Sequence, residues 1–98
     1  VDDSVLDPLI HERARLFILT ALLKSEGGKL SFSRLKKETG LTSGNLWVQM
    51  KRLEEAGYVQ ELSQNKRTTE FVLTEKGIEA LEKYFSEIRQ LFGKEEKK

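Results

Sequence analysis

The chain has 98 residues, with 17 Lys/Arg against 16 Asp/Glu, one His and no Cys, for a formal net charge of +1. Without cysteine there are no disulfides and no thiolate metal sites, and no apolar run approaches the ~18 residues that a membrane span needs. An even composition over this length predicts one domain across residues 1–98, fraying at 1–6 and 94–98, with a core small enough to gain from a partner. The acidic start Val1–Leu6 lacks the basic opening of a signal peptide, so a cytoplasmic location is expected.

Asp7 before Pro8 joins an acidic N-cap to the residue best suited to a first helical position. It predicts a helix to about Glu26, ended by Gly27 and Gly28. Gly28–Leu30 adds a short strand. Ser31 is placed to cap a second helix through Thr39, stopped by Gly40, and Thr42 a third through Ala56, stopped by Gly57. Tyr58–Ser63 alternates in polarity, and Phe71–Leu73 is a second short apolar run. The polar stretch Ser63–Thr68 between them predicts a β-hairpin with the basic tip Asn65, Lys66 and Arg67. Thr74 is placed to cap a fourth helix through about Phe92, stopped by Gly93. The fold class is therefore mainly α with a small β-hairpin (α+β), ordered helix, short strand, helix, helix, strand, strand, helix.

Gly40-Leu41-Thr42 is a tight helix-turn-helix connection, with a glycine to turn and an apolar residue to plug the corner. Leu46, Met50 and Leu53 mark one side of the third helix, and Asn45, Val48 and Arg52 fall opposite. A helix fits the major groove of B-form DNA, where base edges carry distinct donor and acceptor patterns. Thr42, Ser43 and Asn45 lie at the helix start, where such a helix meets bases. Asn45 or Gln49 suits adenine, Arg52 guanine or a phosphate, and Val48 a thymine methyl. Gly44 allows a close backbone approach. Arg34, Lys36, Lys37 and Lys51 are candidates for phosphates, and Lys66 with Arg67 for a phosphate backbone or a minor groove. Charge distribution agrees: residues 29–76 hold nine Lys/Arg and six Asp/Glu, whereas residues 1–28 hold three and five.

The stretch LSFSRLKKETGLTSGNLWVQMKRLEEAG (Leu30–Gly57), followed by YV and a later LTEKG, resembles small winged-helix transcriptional regulators related to the MarR and ArsR families. Leu6-Asp7-Pro8-Leu9-Ile10 is similar to the start of that group, and the likeness runs from about Leu6 to Phe92. The resemblance implies a prokaryotic winged helix-turn-helix regulator that binds double-stranded DNA as a homodimer. Residues 43–56 would form its recognition helix and residues 65–67 its wing tip. Two departures stand out. Trp47 occupies a position where the family usually has a small polar residue, and the metal-sensing cysteines of arsenical-type members have no counterpart.

The first and fourth helices carry more apolar surface than one small domain covers. On the first, Ile10, Ala14, Phe17, Ile18 and Ala21 are assigned to the core. A dimer interface is expected from Leu9, Leu16, Leu19 and Leu23 with Leu81, Tyr84, Phe85, Ile88, Leu91 and Phe92. Trp47 is read as packing against the first helix or the hairpin, and the lone His11 as a surface or packing residue. No nucleophile motif, phosphate loop or carboxylate dyad is present, so neither catalysis nor a cofactor or metal is expected. Two further readings stay open: a protein-docking module that does not bind DNA, and a small-molecule effector at the dimer seam or near Trp47.

Overall fold

The computed structural model describes residues 6–63 and 68–96. The elements run α1 (Arg13–Lys24), one 3-10 turn (Glu26–Gly28), β1 (Lys29–Ser31), α2 (Phe32–Thr39), α3 (Ser43–Glu55), β2 (Val59–Ser63), β3 (Thr69–Leu73) and α4 (Glu75–Glu96). This is the order read from the sequence, short strand included. Three of the expected caps form. Ser31 Oγ accepts from Arg34 N, Thr42 Oγ1 from Asn45 N and Thr74 Oγ1 from Gly77 N, at 3.1, 3.2 and 3.0 Å.

Two helix boundaries differ from expectation. The first helix begins at Arg13, not after Asp7. Asp7 engages the backbone ahead of it, taking Leu9 N on its carboxylate and His11 N on its carbonyl, yet this produces only a turn. Glu12 is the true cap, with its carboxylate accepting from Arg15 N at 2.9 Å. Ile10, in the turn between them, is fully buried in the core, as expected. At the other end α4 runs through Gly93 to Glu96. A glycine in helical conformation costs only ~1 kcal/mol and does not by itself end a helix.

The three strands form one antiparallel sheet in the order β1-β3-β2. On the central strand Phe71 lies opposite Leu30 on one side and Glu61 on the other. Fully buried Phe71 belongs to one core with Ile18, Leu19 and Leu22 of α1, Leu35 of α2, Leu46, Met50 and Leu53 of α3, and Leu81 of α4. The assignment of Phe17 to this core is corrected: it is 43% exposed, under the Arg13 guanidinium. The buried face of α1 instead follows Ala14, Ile18 and Leu22 at intervals of four residues, with Leu19 beside them. No helix among the described residues is long and apolar enough to cross a membrane.

Side chains distant in sequence tie down the segment before α1. His11 Nδ1 pairs with the Tyr84 hydroxyl at 2.8 Å, and Tyr58 donates its hydroxyl to Asp7 Oδ2 at 2.5 Å. Burial, reinforced by the bond to Asp7 and by its charge, pushes the Tyr58 phenol up from 10.0 to about 12. Below pH 10 the phenol is protonated in folded and unfolded chains alike, and its contribution is complete. Between pH 10 and 12 the unfolded chain ionises first, so stability falls across that window. Tyr58→Phe is expected to cost about 1 kcal/mol at neutral pH and to flatten the loss between pH 10 and 12, as read by urea unfolding at several pH values.

Candidate nucleic-acid interface

The α2–α3 corner is built by local chemistry. Gly40 ends α2 in the left-handed region at φ 75°, which a residue with Cβ adopts only at a cost, and donates its N–H to Lys36 O at 2.9 Å. Leu41 then turns inward against the core, and Thr42 opens α3. Leu46, Met50 and Leu53 are fully buried, which fixes the rotation of α3 about its axis. The opposite face follows of necessity. Ser43, Gly44, Asn45, Val48 and Arg52 are exposed together, and a Cβ added at Gly44 would meet nothing within 4 Å. Val48, half exposed at the centre of this face, is not among the described residues that pack on the core.

Gln49 flanks the same face and is half-buried. Its Nε2 donates to Asn45 Oδ1 at 3.0 Å, while its Oε1 accepts from Arg15 Nη1 at 2.8 Å. Arg15, on α1 with Arg13 and Lys24, has nothing in the sequence to set it apart. Its side chain is only 12% exposed, and its Nε donates to Leu9 O at 2.6 Å.

The candidate phosphate ligands divide into two groups. Lys36 and Lys37 are exposed in the last turn of α2, and Arg34 is exposed but paired with Glu38 at 3.0 Å. Lys51 lies between Glu54 and Glu61 at 3.5 and 3.4 Å. The hydrogen bond to Glu61, with the charge of Glu54, raises its pKa. Lys51 therefore braces α3 against β2 rather than standing free, although so exposed a pair is readily exchanged for another anion. The hairpin strands are in place, but the tip residues Asn65, Lys66 and Arg67 lie outside the described residues.

Trp47 packs as the composition of its surroundings demands, with one partner unforeseen. Its ring stacks on Phe32 at 4.6 Å and meets Phe71 edge-on at 5.9 Å, so it packs on α2 and on the hairpin strand β3. An open cleft lined by Ser31, Phe32, Ser33, Thr68 and Thr69 runs beside it. No group of three or more His, Asp or Glu that could hold a metal ion is gathered among the described residues.

The residues expected at a dimer interface also divide. Leu19, Leu81 and Tyr84 belong to the protomer's own core and have no surface left for a partner, which corrects that assignment. Leu19 faces inward because α1 is clasped by the sheet, and Leu81 and Tyr84 because the first half of α4 lies on the domain. Leu9, Leu16, Phe85 and Ile88 are half-buried, and Leu23, Leu91 and Phe92 are exposed.

A helix-turn-helix followed by an antiparallel hairpin and a closing helix is the winged-helix arrangement. The chain belongs to the winged helix DNA-binding domain family, whose family model matches residues 14–92. Among solved structures it is similar to a transcriptional regulator homologue from Pyrococcus horikoshii, at 26% identity over 87% of this chain and 85% of that one, TM-score 0.77. A MarR family transcriptional regulator from Streptomyces coelicolor, solved in complex with DNA, matches at 25% identity over 90% of this chain and 62% of that one, TM-score 0.67. A mutant MarR from E. coli complexed with operator DNA shares the fold at 24% identity, 95% and 66% coverage and TM-score 0.77. The chain thus spans less than two thirds of the length of the latter two. No relative among curated proteins matches the chain. The family and fold are those of DNA-binding transcription regulators and not of enzymes.

Proposed function

We propose that the protein is a cytoplasmic, sequence-specific regulator that binds double-stranded DNA as a homodimer, with α3 in the major groove and the hairpin tip on the backbone or in the minor groove. The observation that carries the reading is the outer face of α3. Asn45, Val48 and Arg52 stand in line, exposed, on a helix whose other face is locked into the core. Polar groups and one apolar group at that spacing match what base edges in a major groove require. Likeness to a regulator solved with DNA supports it. Any effector is assigned to the dimer seam or the cleft beside Trp47.

The test is a titration onto a duplex from the region upstream of the protein's own coding sequence, beside a random duplex, at two salt concentrations. Tighter binding to the first, weakening with salt at both, is the expected result. Lys66→Ala with Arg67→Ala is expected to weaken both complexes alike, because a cation on a phosphate carries no sequence information. Absence of binding to either duplex, at low salt as well, overturns the reading in favour of a protein-docking module.

The dimer reading rests on one stripe of α4. Ile78, Leu81, Phe85, Ile88 and Phe92 follow one another at helical spacing. The stripe is buried in the protomer at Leu81 and emerges into solvent by Phe92, which is 61% exposed. A second copy covering this end, together with Leu16 and Leu23 of α1, would bury what the first leaves bare. Phe92→Glu is expected to convert a dimer at micromolar concentration into a monomer in sedimentation equilibrium, with the melting of the monomer core little changed. A parent chain that is itself monomeric there removes the dimer from the reading.

A further inference from the structure

Asn45, Gln49 and Arg15 form a chain of hydrogen bonds with a direction. A guanidinium has donors only. Arg15 is held by Leu9 O and by its own burial, so the group it offers to Gln49 at 2.8 Å is an N–H, and Gln49 must answer with Oε1. The other end of that amide is then Nε2, a donor, and it meets Asn45 at 3.0 Å through Oδ1. The same logic passes outward once more. With its oxygen turned inward, Asn45 shows Nδ2 to the exposed face of α3.

We propose that Arg15, which lies outside the helix-turn-helix, is a positioning residue that sets the base preference of Asn45 by fixing which end of its amide faces the DNA. This rests on the reading of α3 as the helix that enters the major groove. An N–H donor presented there suits a keto base, guanine or thymine, whose O6, N7 or O4 accept. Adenine N7 accepts it as well, whereas cytosine, which shows only its N4 amine in the major groove, does not suit it. Paired recognition of adenine by Asn45, attractive from sequence alone, asks for an outward-facing oxygen, and the bond from Gln49 holds that oxygen inward.

Gln49→Glu gives the sharper of two tests, because a carboxylate only accepts. It retains the Arg15 bond, and Asn45 is then forced to turn Nδ2 inward and Oδ1 outward. Arg15→Met instead removes the source of the direction, so that either amide orientation becomes available. The experiment is a selection from duplexes with a randomised core, performed with the parent and each variant, with thermal melting as a check on folding. The parent is expected to enrich a motif in which one position, that lost in Asn45→Ala, disfavours cytosine by about tenfold or more. In Gln49→Glu the same position is expected to admit cytosine, with adenine, at the expense of guanine and thymine, and in a folded Arg15→Met to lose its preference, while the other positions hold. If Arg15→Met fails to fold, Gln49→Glu alone decides. A parent motif that Gln49→Glu leaves unchanged overturns the positioning role and leaves the DNA-binding reading standing. A parent that enriches no motif overturns both.

Discussion

Gly77→Ala is expected to lower the melting temperature by roughly 10–20 °C, corresponding to the 2–3 kcal/mol that an overpacked contact costs a domain of this size. In most helices the same change is favourable, because alanine has the higher helix propensity. Gly77 is in the first turn of α4, where that turn lies directly on the backbone leading into β2. Thr74 N donates to Tyr58 O at 3.0 Å, and Thr74 Oγ1 donates to Gly57 O at 2.6 Å. A Cβ at position 77 would overlap the Tyr58 carbonyl oxygen and come within 3.0 Å of Leu73 Cδ1. No rotamer relieves this, because the obstacle is backbone. Tyr58 cannot retreat either: its N–H is bonded to Leu53 O at 3.0 Å, and Val59 next to it pairs with Leu73. Gly44→Ala supplies the control, since its Cβ would enter open space. That variant is expected to melt at or slightly above the parent temperature. If both variants melt like the parent, α4 does not close on Tyr58 as described.

The parts of this molecule that were legible in the sequence are those written in local chemistry. Ser31, Thr42 and Thr74 announce helix starts because a hydroxyl before a helix has an orphan N–H to satisfy, and Gly40 announces a stop because the chain must turn left-handed there. The spacing of Leu46, Met50 and Leu53 fixed which side of α3 faces out, and the exposed residues of that face follow without further information. What was not legible depends on contacts distant in sequence. Asp7-Pro8 carries a start signal as good as any in the chain, yet Asp7 is taken up by Leu9 N and the distant Tyr58 hydroxyl, and the helix is capped at Glu12. Phe17 and Leu19 exchanged places because a helix with apolar residues on two sides does not say which side meets the sheet. Arg15 was missed for a related reason. Its partners Leu9 and Gln49 are 6 and 34 residues away, and only folding brings them to one guanidinium.

Asn45→Ala combined with Arg52→Ala is expected to cost specific binding about 2–6 kcal/mol per recognition helix, since each contact to a base edge is worth roughly 1–3 kcal/mol. The two side chains are seven residues apart, about 10.5 Å along the helix at 1.5 Å per residue, so their losses should add with little coupling. Both are exposed, and neither fills the core, so the fold has no reason to suffer. Asn45 does lose its bond to Gln49, but that bond lies on the surface, and its removal leaves no buried group unpaired. Binding to a random duplex should change far less. There only Arg52 is missed, as one cation, and the slope of log affinity against log salt should become shallower by about one per helix. A homodimer repeats each loss at both half-sites, so the gap between specific and random binding should narrow by the square of the single-helix factor. Titrations of parent and double variant on both duplexes measure that gap directly. If the variant discriminates between them as well as the parent does, bases are read by some element other than α3, and the hairpin tip would be the next to substitute. If discrimination collapses while random binding persists, α3 reads sequence, and the cations of α2 and the hairpin hold the protein to the phosphates while it does so.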